Sequence, residues 1–133
     1  MNRNDIIEYL LNNDISEVEE LEYRDKDISV LRFFYDFDED EINAAKAYAD
    51  DESGKEREDE EWSREFFIPY LSELAVDIVG EVIEDLMEDL NLEVQFTSYE
   101  INEEEPDYVE FIGIFYSKGK EVDIDSILDE LQL

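Results

Sequence analysis

Apolar residues recur along this chain in two rhythms, one of about 3.6 residues and one close to two, and their alternation predicts helices and strands in turn. Ile6, Ile7, Leu10 and Leu11 are spaced for a helix after Asn4, so residues 4–13 are expected to form a short amphipathic helix with Asn4 as its N-cap. A strand is expected near residues 17–24. The run Ile28 to Phe37 (ISVLRFFYDF) is rich in β-branched and aromatic residues, with Leu31, Phe33, Tyr35 and Phe37 on one face, which predicts a well-buried strand. Asp38 or Asp40 then caps a helix holding Ile42, Ala45, Tyr48 and Ala49. The segment near residues 50–61 (DDESGKEREDEE) has almost nothing to bury and is expected to be a solvated acidic loop.

From Trp62 to Leu90 the helical period returns through Phe66, Phe67, Leu71, Leu74, Ala75, Ile78, Val79, Val82, Ile83, Leu86, Met87 and Leu90, with Pro69 marking a kink or a new start. On a helical wheel, Glu73, Asp77, Glu81, Glu84 and Glu88 fall in one narrow arc opposite that apolar face. Leu92 to Ile101 and Tyr108 to Tyr116 predict two antiparallel strands joined by an acidic loop. Gly113, inside the second strand, marks a bulge or a close-packing position. After a turn at Lys118, Gly119 and Lys120, Asp123 caps a last helix containing Ile124, Ile127, Leu128 and Leu131. The expected fold is α+β, one domain over residues 1–133: an antiparallel sheet of about four strands with a long central helix packed on one face and short helices at both ends. In element order alone the chain resembles the small acidic chaperones of bacterial secretion systems, an architectural analogy that carries no sequence motif of theirs and does not fix function.

Composition sharpens this picture. The chain has 42 Asp plus Glu against 10 Lys plus Arg, a net charge of -32, which in a chain with little to bury would mean disorder. Leu, Ile, Val and Phe together number 41 of the 133 residues, well above the level of about 20% that marks unfolded sequences, so the chain is expected to fold. Such a surface repels nucleic-acid phosphates and anionic membranes directly, because both are bound through Lys and Arg. Met1 to Asp14 lacks the continuous apolar stretch of a signal peptide or anchor, which points to a cytoplasmic protein. The absence of Cys is compatible with a reducing compartment, and 13 Ile with seven Asn suit an ordinary low-GC bacterial source.

The usual tools of catalysis are missing: no His, no Cys and no Ser in a nucleophile turn. The four glycines are scattered, so no nucleotide-binding fingerprint exists and no cofactor is expected. Asp36, Asp38 and Asp40 alternate as at the start of a calcium loop, but Glu41 and Ala47 stand where such a loop needs Gly and Glu, so no metal site is assigned. Trp62 has the position of a packing anchor, with a rim contact as the alternative.

The acidic arc of the long helix carries the functional expectation. Like charges at i and i+4 destabilise a helix by about 0.2–0.5 kcal/mol per pair, so a merely solvated face would mix signs. Here no Lys or Arg occurs anywhere from Glu65 to Ser117. One reading is adaptation to a salt-rich cytoplasm. The other is a binding role: a non-enzymatic acidic protein that neutralises or sequesters a basic protein surface, such as that of a nucleic-acid-binding protein, as a nucleic-acid mimic or an immunity-type inhibitor of a nuclease. The candidate partner-binding residues are Glu73, Asp77, Glu81, Glu84 and Glu88 on the helix, with Glu56, Glu58, Asp59, Glu60 and Glu61 in the loop. The alternative function is a chaperone-like or structural module that uses the apolar helix face to form a homodimer.

Overall fold

The computed structural model describes residues 2–133. In chain order they form α1 (Arg3–Leu11), β1 (Glu17–Leu21), β2 (Ile28–Asp36), α2 (Glu39–Ser53), a π-helical segment (Trp62–Phe67) continuing into α3 (Ile68–Leu90), β3 (Leu92–Ser98), β4 (Tyr108–Ser117) and α4 (Ile124–Leu131). The four strands make one antiparallel sheet in the order β1-β2-β4-β3. Two hairpins, β1-β2 and β3-β4, are thus zipped together through their inner strands, which are also the most apolar.

Local chemistry accounts for the boundaries. Asn2, not Asn4, caps α1: its side chain accepts a hydrogen bond from the Asn4 N–H at 2.9 Å, because the helix starts two residues earlier than the apolar spacing implied. Asp38 caps α2 in a reciprocal box with Glu41, so this member of the Asp36-Asp38-Asp40 alternation serves a helix start. α2 runs on to Ser53 and ends at Gly54 in the left-handed region, and helical geometry resumes at Glu60, so the irregular loop covers only 54–59. The helix propagates through Asp50–Ser53 from the turns nucleated upstream, despite their low helix propensity and lack of apolar surface, until Gly54 ends it. Pro69 is near the start of α3 but inside one continuous helical run, so its ring and its missing N–H must be accommodated by the turn before it. The wider turn before it, in which the Ile68 N–H donates to the Ser63 carbonyl, makes room for the proline ring.

The sheet is covered on both faces. On one, Leu31, Phe33 and Tyr35 of β2 with Val109, Phe111 and Phe115 of β4 meet Ile6 and Leu10 of α1, Ala45 and Ala49 of α2, and Leu71, Ala75, Val79, Ile83 and Leu86 of α3. On the other, Ile28, Val30, Ile112, Ile114 and Tyr116 pack against Ile127 of α4. This two-sided burial explains why β2 and β4 read as almost unbroken apolar runs and do not alternate. The β2-β4-β3 register passes Gly113 without a bulge. A Cβ there would lie 2.8 Å from Phe115 Cε1 and 2.9 Å from Phe33 Cε1, so the glycine is a close-packing position.

Candidate partner-binding surface

The orientation of α3 follows from its own pattern. Its five buried residues fix one stripe against the sheet, and the opposite stripe must face water. Glu73, Asp77, Glu81, Glu84 and Glu88 form that outer stripe, and all five are exposed. At about 1.5 Å rise per residue the line extends about 22 Å, with a carboxylate roughly every 6 Å.

Among the described residues no Lys or Arg is paired with it. Among the described residues, Arg3 pairs with Glu20, Arg24 with Glu130, Arg32 with Glu19 and Glu110, Lys55 with Glu61, Arg57 with Asp50, Arg64 with Glu60 and Glu103, and Lys120 with Asp25. None of these cations reaches the arc. The nearest tertiary tie on this helix is at Asp89, outside the five, whose Oδ2 accepts a 2.7 Å hydrogen bond from the Tyr9 hydroxyl of α1. That bond holds the Tyr9 phenol in its protonated form and pushes its pKa up to about 12.

The loop acids divide. Glu56 and Glu58 are exposed and free of ion pairs among the described residues, whereas Glu60 and Glu61 pair with Arg64 and Lys55 at 3.6 and 3.7 Å. The Asp59 side chain accepts from the Glu61 N–H at 2.8 Å and starts the next helix. Arg57 folds back to donate to both oxygens of Asp50 at 3.1 and 2.7 Å, and the Trp62 indole N–H donates to the same carboxylate at 3.0 Å. The Asp50 carboxyl is accordingly held below the usual carboxylate range, chiefly by Arg57. The loop is therefore pinned at its base, and part of its charge is used internally. Trp62 is 5% exposed and stacks on Phe67 with ring centroids 4.8 Å apart, so it is the packing anchor of this corner.

A groove of about 380 Å³ opens between α2 and the start of α3, lined by Tyr48, Glu65, Phe66, Pro69, Tyr70, Glu73, Leu74 and Asp77. It contains the first two carboxylates of the arc and none of the five loop acids. Sequence reasoning placed Tyr48 and Phe66 in apolar stripes, passed over Glu65 and Tyr70, and found no groove. The groove exists only because α2 docks alongside the π segment, a long-range fact with no local sequence signal.

The arrangement can attract and orient cations. Among the described residues no group of three or more acidic side chains converges on a point suited to a metal ion, and no helix is long and apolar enough to cross a membrane. Comparison with protein-family models, curated proteins and solved structures finds no match for this chain, so its function is argued from its own surface.

Proposed function

We propose that the chain is a non-enzymatic, cytoplasmic acidic binding protein that neutralises or sequesters a basic protein surface, as a nucleic-acid mimic or an immunity-type inhibitor of a nuclease. The observation that carries this reading is the line of five exposed carboxylates on α3 with no cation paired to it, maintained against the self-repulsion it causes. The homodimer alternative loses its motivation, since the apolar face of α3 is buried inside the chain.

The test is capture of a partner from native lysate at low salt, elution by a salt gradient, and competition with DNA and RNA for the purified partner. A partner of this kind elutes with salt, carries a basic surface, and releases this protein when nucleic acid is added. Simultaneous binding of nucleic acid and this protein, without mutual loss of affinity, would rule out mimicry.

A further inference from the structure

The groove between α2 and α3 joins aromatic surface to unpaired negative charge. Tyr48 is 42% exposed, and it packs on Tyr70 with centroids 5.1 Å apart and on Phe66 at 6.5 Å. Neither the Tyr48 nor the Tyr70 hydroxyl has a hydrogen-bond partner among the described residues. Glu65, Glu73 and Asp77 line the same space, and none is paired with a Lys or Arg there. Phe66 and Tyr70 are half-buried against the main core, so it is the exposed Tyr48 that extends their aromatic surface to three carboxylates at a solvent-open site. Together they match one chemistry: a cation with a flat, weakly hydrated face that can lie on a ring while donating to carboxylates at its edge. Glu73 and Asp77, one helical turn apart, offer acceptors on the same side of α3.

We infer that this groove receives an arginine side chain protruding from the basic partner, and that it is the specificity pocket at one end of the acidic line. The inference rests on the proposed binding function and deepens it. Charge complementarity fixes the sign of the occupant. The rings favour guanidinium over ammonium, and the further run of Glu81, Glu84 and Glu88 beyond the groove favours a protein surface over a small cation.

The experiment is calorimetry and aromatic-region NMR on the full chain, titrated with tetra-arginine amide and, separately, tetra-lysine amide, at low and physiological ionic strength. The arginine peptide is expected to bind about three-fold more tightly, to shift the Tyr48, Phe66 and Tyr70 ring signals, and to retain its advantage as salt is raised. Tyr48→Leu, at a half-exposed position, should abolish the preference for arginine, and Tyr48→Phe should keep it. Equal affinities for the two peptides, or ring signals that stay fixed in the unmodified chain, would overturn the pocket, and the NMR readout does not depend on any variant folding. Glu81→Gln with Glu84→Gln separates the two levels. If these weaken both peptides while Tyr48→Leu changes nothing, the pocket falls and the acidic binding face stands. If neither charge nor ring substitution matters, both fall.

Discussion

Trp62 and Asp50, twelve residues apart, are joined by an indole N–H to carboxylate hydrogen bond of 3.0 Å, which closes the loop between α2 and the π segment. Arg57 completes the knot, donating to the same carboxylate while its guanidinium lies 6.0 Å from the centre of the Trp62 ring. One carboxylate thus ties the end of α2, the middle of the loop and the first aromatic residue of the next helical run.

Two consequences follow at this corner. Trp62→Ala removes a buried ring stacked on Phe67 and is expected to cost about 3–5 kcal/mol in urea unfolding. Asp50→Ala leaves the buried Trp62 indole N–H without its acceptor, at a cost of about 1–3 kcal/mol, and frees Arg57, so trypsin should cut after Arg57 faster than in the unmodified chain. An unchanged cleavage rate would mean that the loop is held by something other than this knot.

How far these features were legible in the sequence depended on whether their cause was local. The apolar period of Leu71 to Leu86 and the cap at Asp123 are local, and the structure places α3 and α4 as they predict; of the two caps the sequence offered for α2, Asp38 is the one used, and the helix runs on into the expected loop. The expected fold covered the sheet on one face only; that the unbroken run FIGIFY in β4 is buried on both, with α4 over the second, is a tertiary fact. The outer position of Glu73 to Glu88 was legible because one helix carries both stripes. The groove was not, since Tyr48 meets Phe66 and Tyr70 across two elements separated by a loop whose path the sequence does not encode locally.

Acid should remove the stability that the paired carboxylates contribute, against the relief of self-repulsion that protonating the unpaired ones brings. Asp25 is held below its ordinary range by the Asp27 N–H and by Lys120, Asp50 by Arg57 and Trp62, and Glu130 by Arg24 and Tyr23. With folded values below the unfolded ones, near about 4, the unfolded state binds more protons in that window. Their contribution is therefore complete above the unfolded pKa and is lost as pH falls through the depressed folded values. The excess melting temperature of the unmodified chain over a Glu130→Gln variant should shrink as pH is lowered from 5. Tyr9 acts at the other end: raised to about 12, its bond to Asp89 contributes below the unfolded tyrosine pKa near about 10 and is lost as pH rises through the folded value. Tyrosinate absorbance should show one fewer late-titrating ring in Tyr9→Phe.

Gly113→Ala tests the packing of the first sheet face. The added methyl would stand under 3 Å from ring atoms of both Phe33 and Phe115, and Phe33 is itself stacked on Phe111 with centroids 5.4 Å apart. Three fully buried rings cannot all give way, so a loss of about 1–3 kcal/mol is expected in denaturant unfolding. A neutral effect would show that the two rings can shift together.

The last prediction concerns the outer line of α3. Asp77→Asn with Glu81→Gln and Glu84→Gln removes the three central charges while leaving the buried stripe of Leu71, Ala75, Val79, Ile83 and Leu86 untouched. Every like-charge neighbour pair three or four residues apart within the five-residue arc includes at least one of these positions. The variant should therefore melt no lower than the unmodified chain, and at low salt it should melt higher. Added salt should raise the melting temperature of the unmodified chain for the same reason, and by more than it does for the variant. Binding to a basic partner should move in the opposite direction. Exposed charges act mainly during diffusional approach, so the association rate should fall, and the gap between variant and unmodified protein should narrow at physiological ionic strength, where screening already acts beyond about 8 Å. Surface plasmon resonance across a salt series measures both rates. A loss confined to the dissociation rate and insensitive to salt would mean that these carboxylates are buried in the complex and touch the partner directly, in which case α3 is the centre of the interface and not its guiding edge.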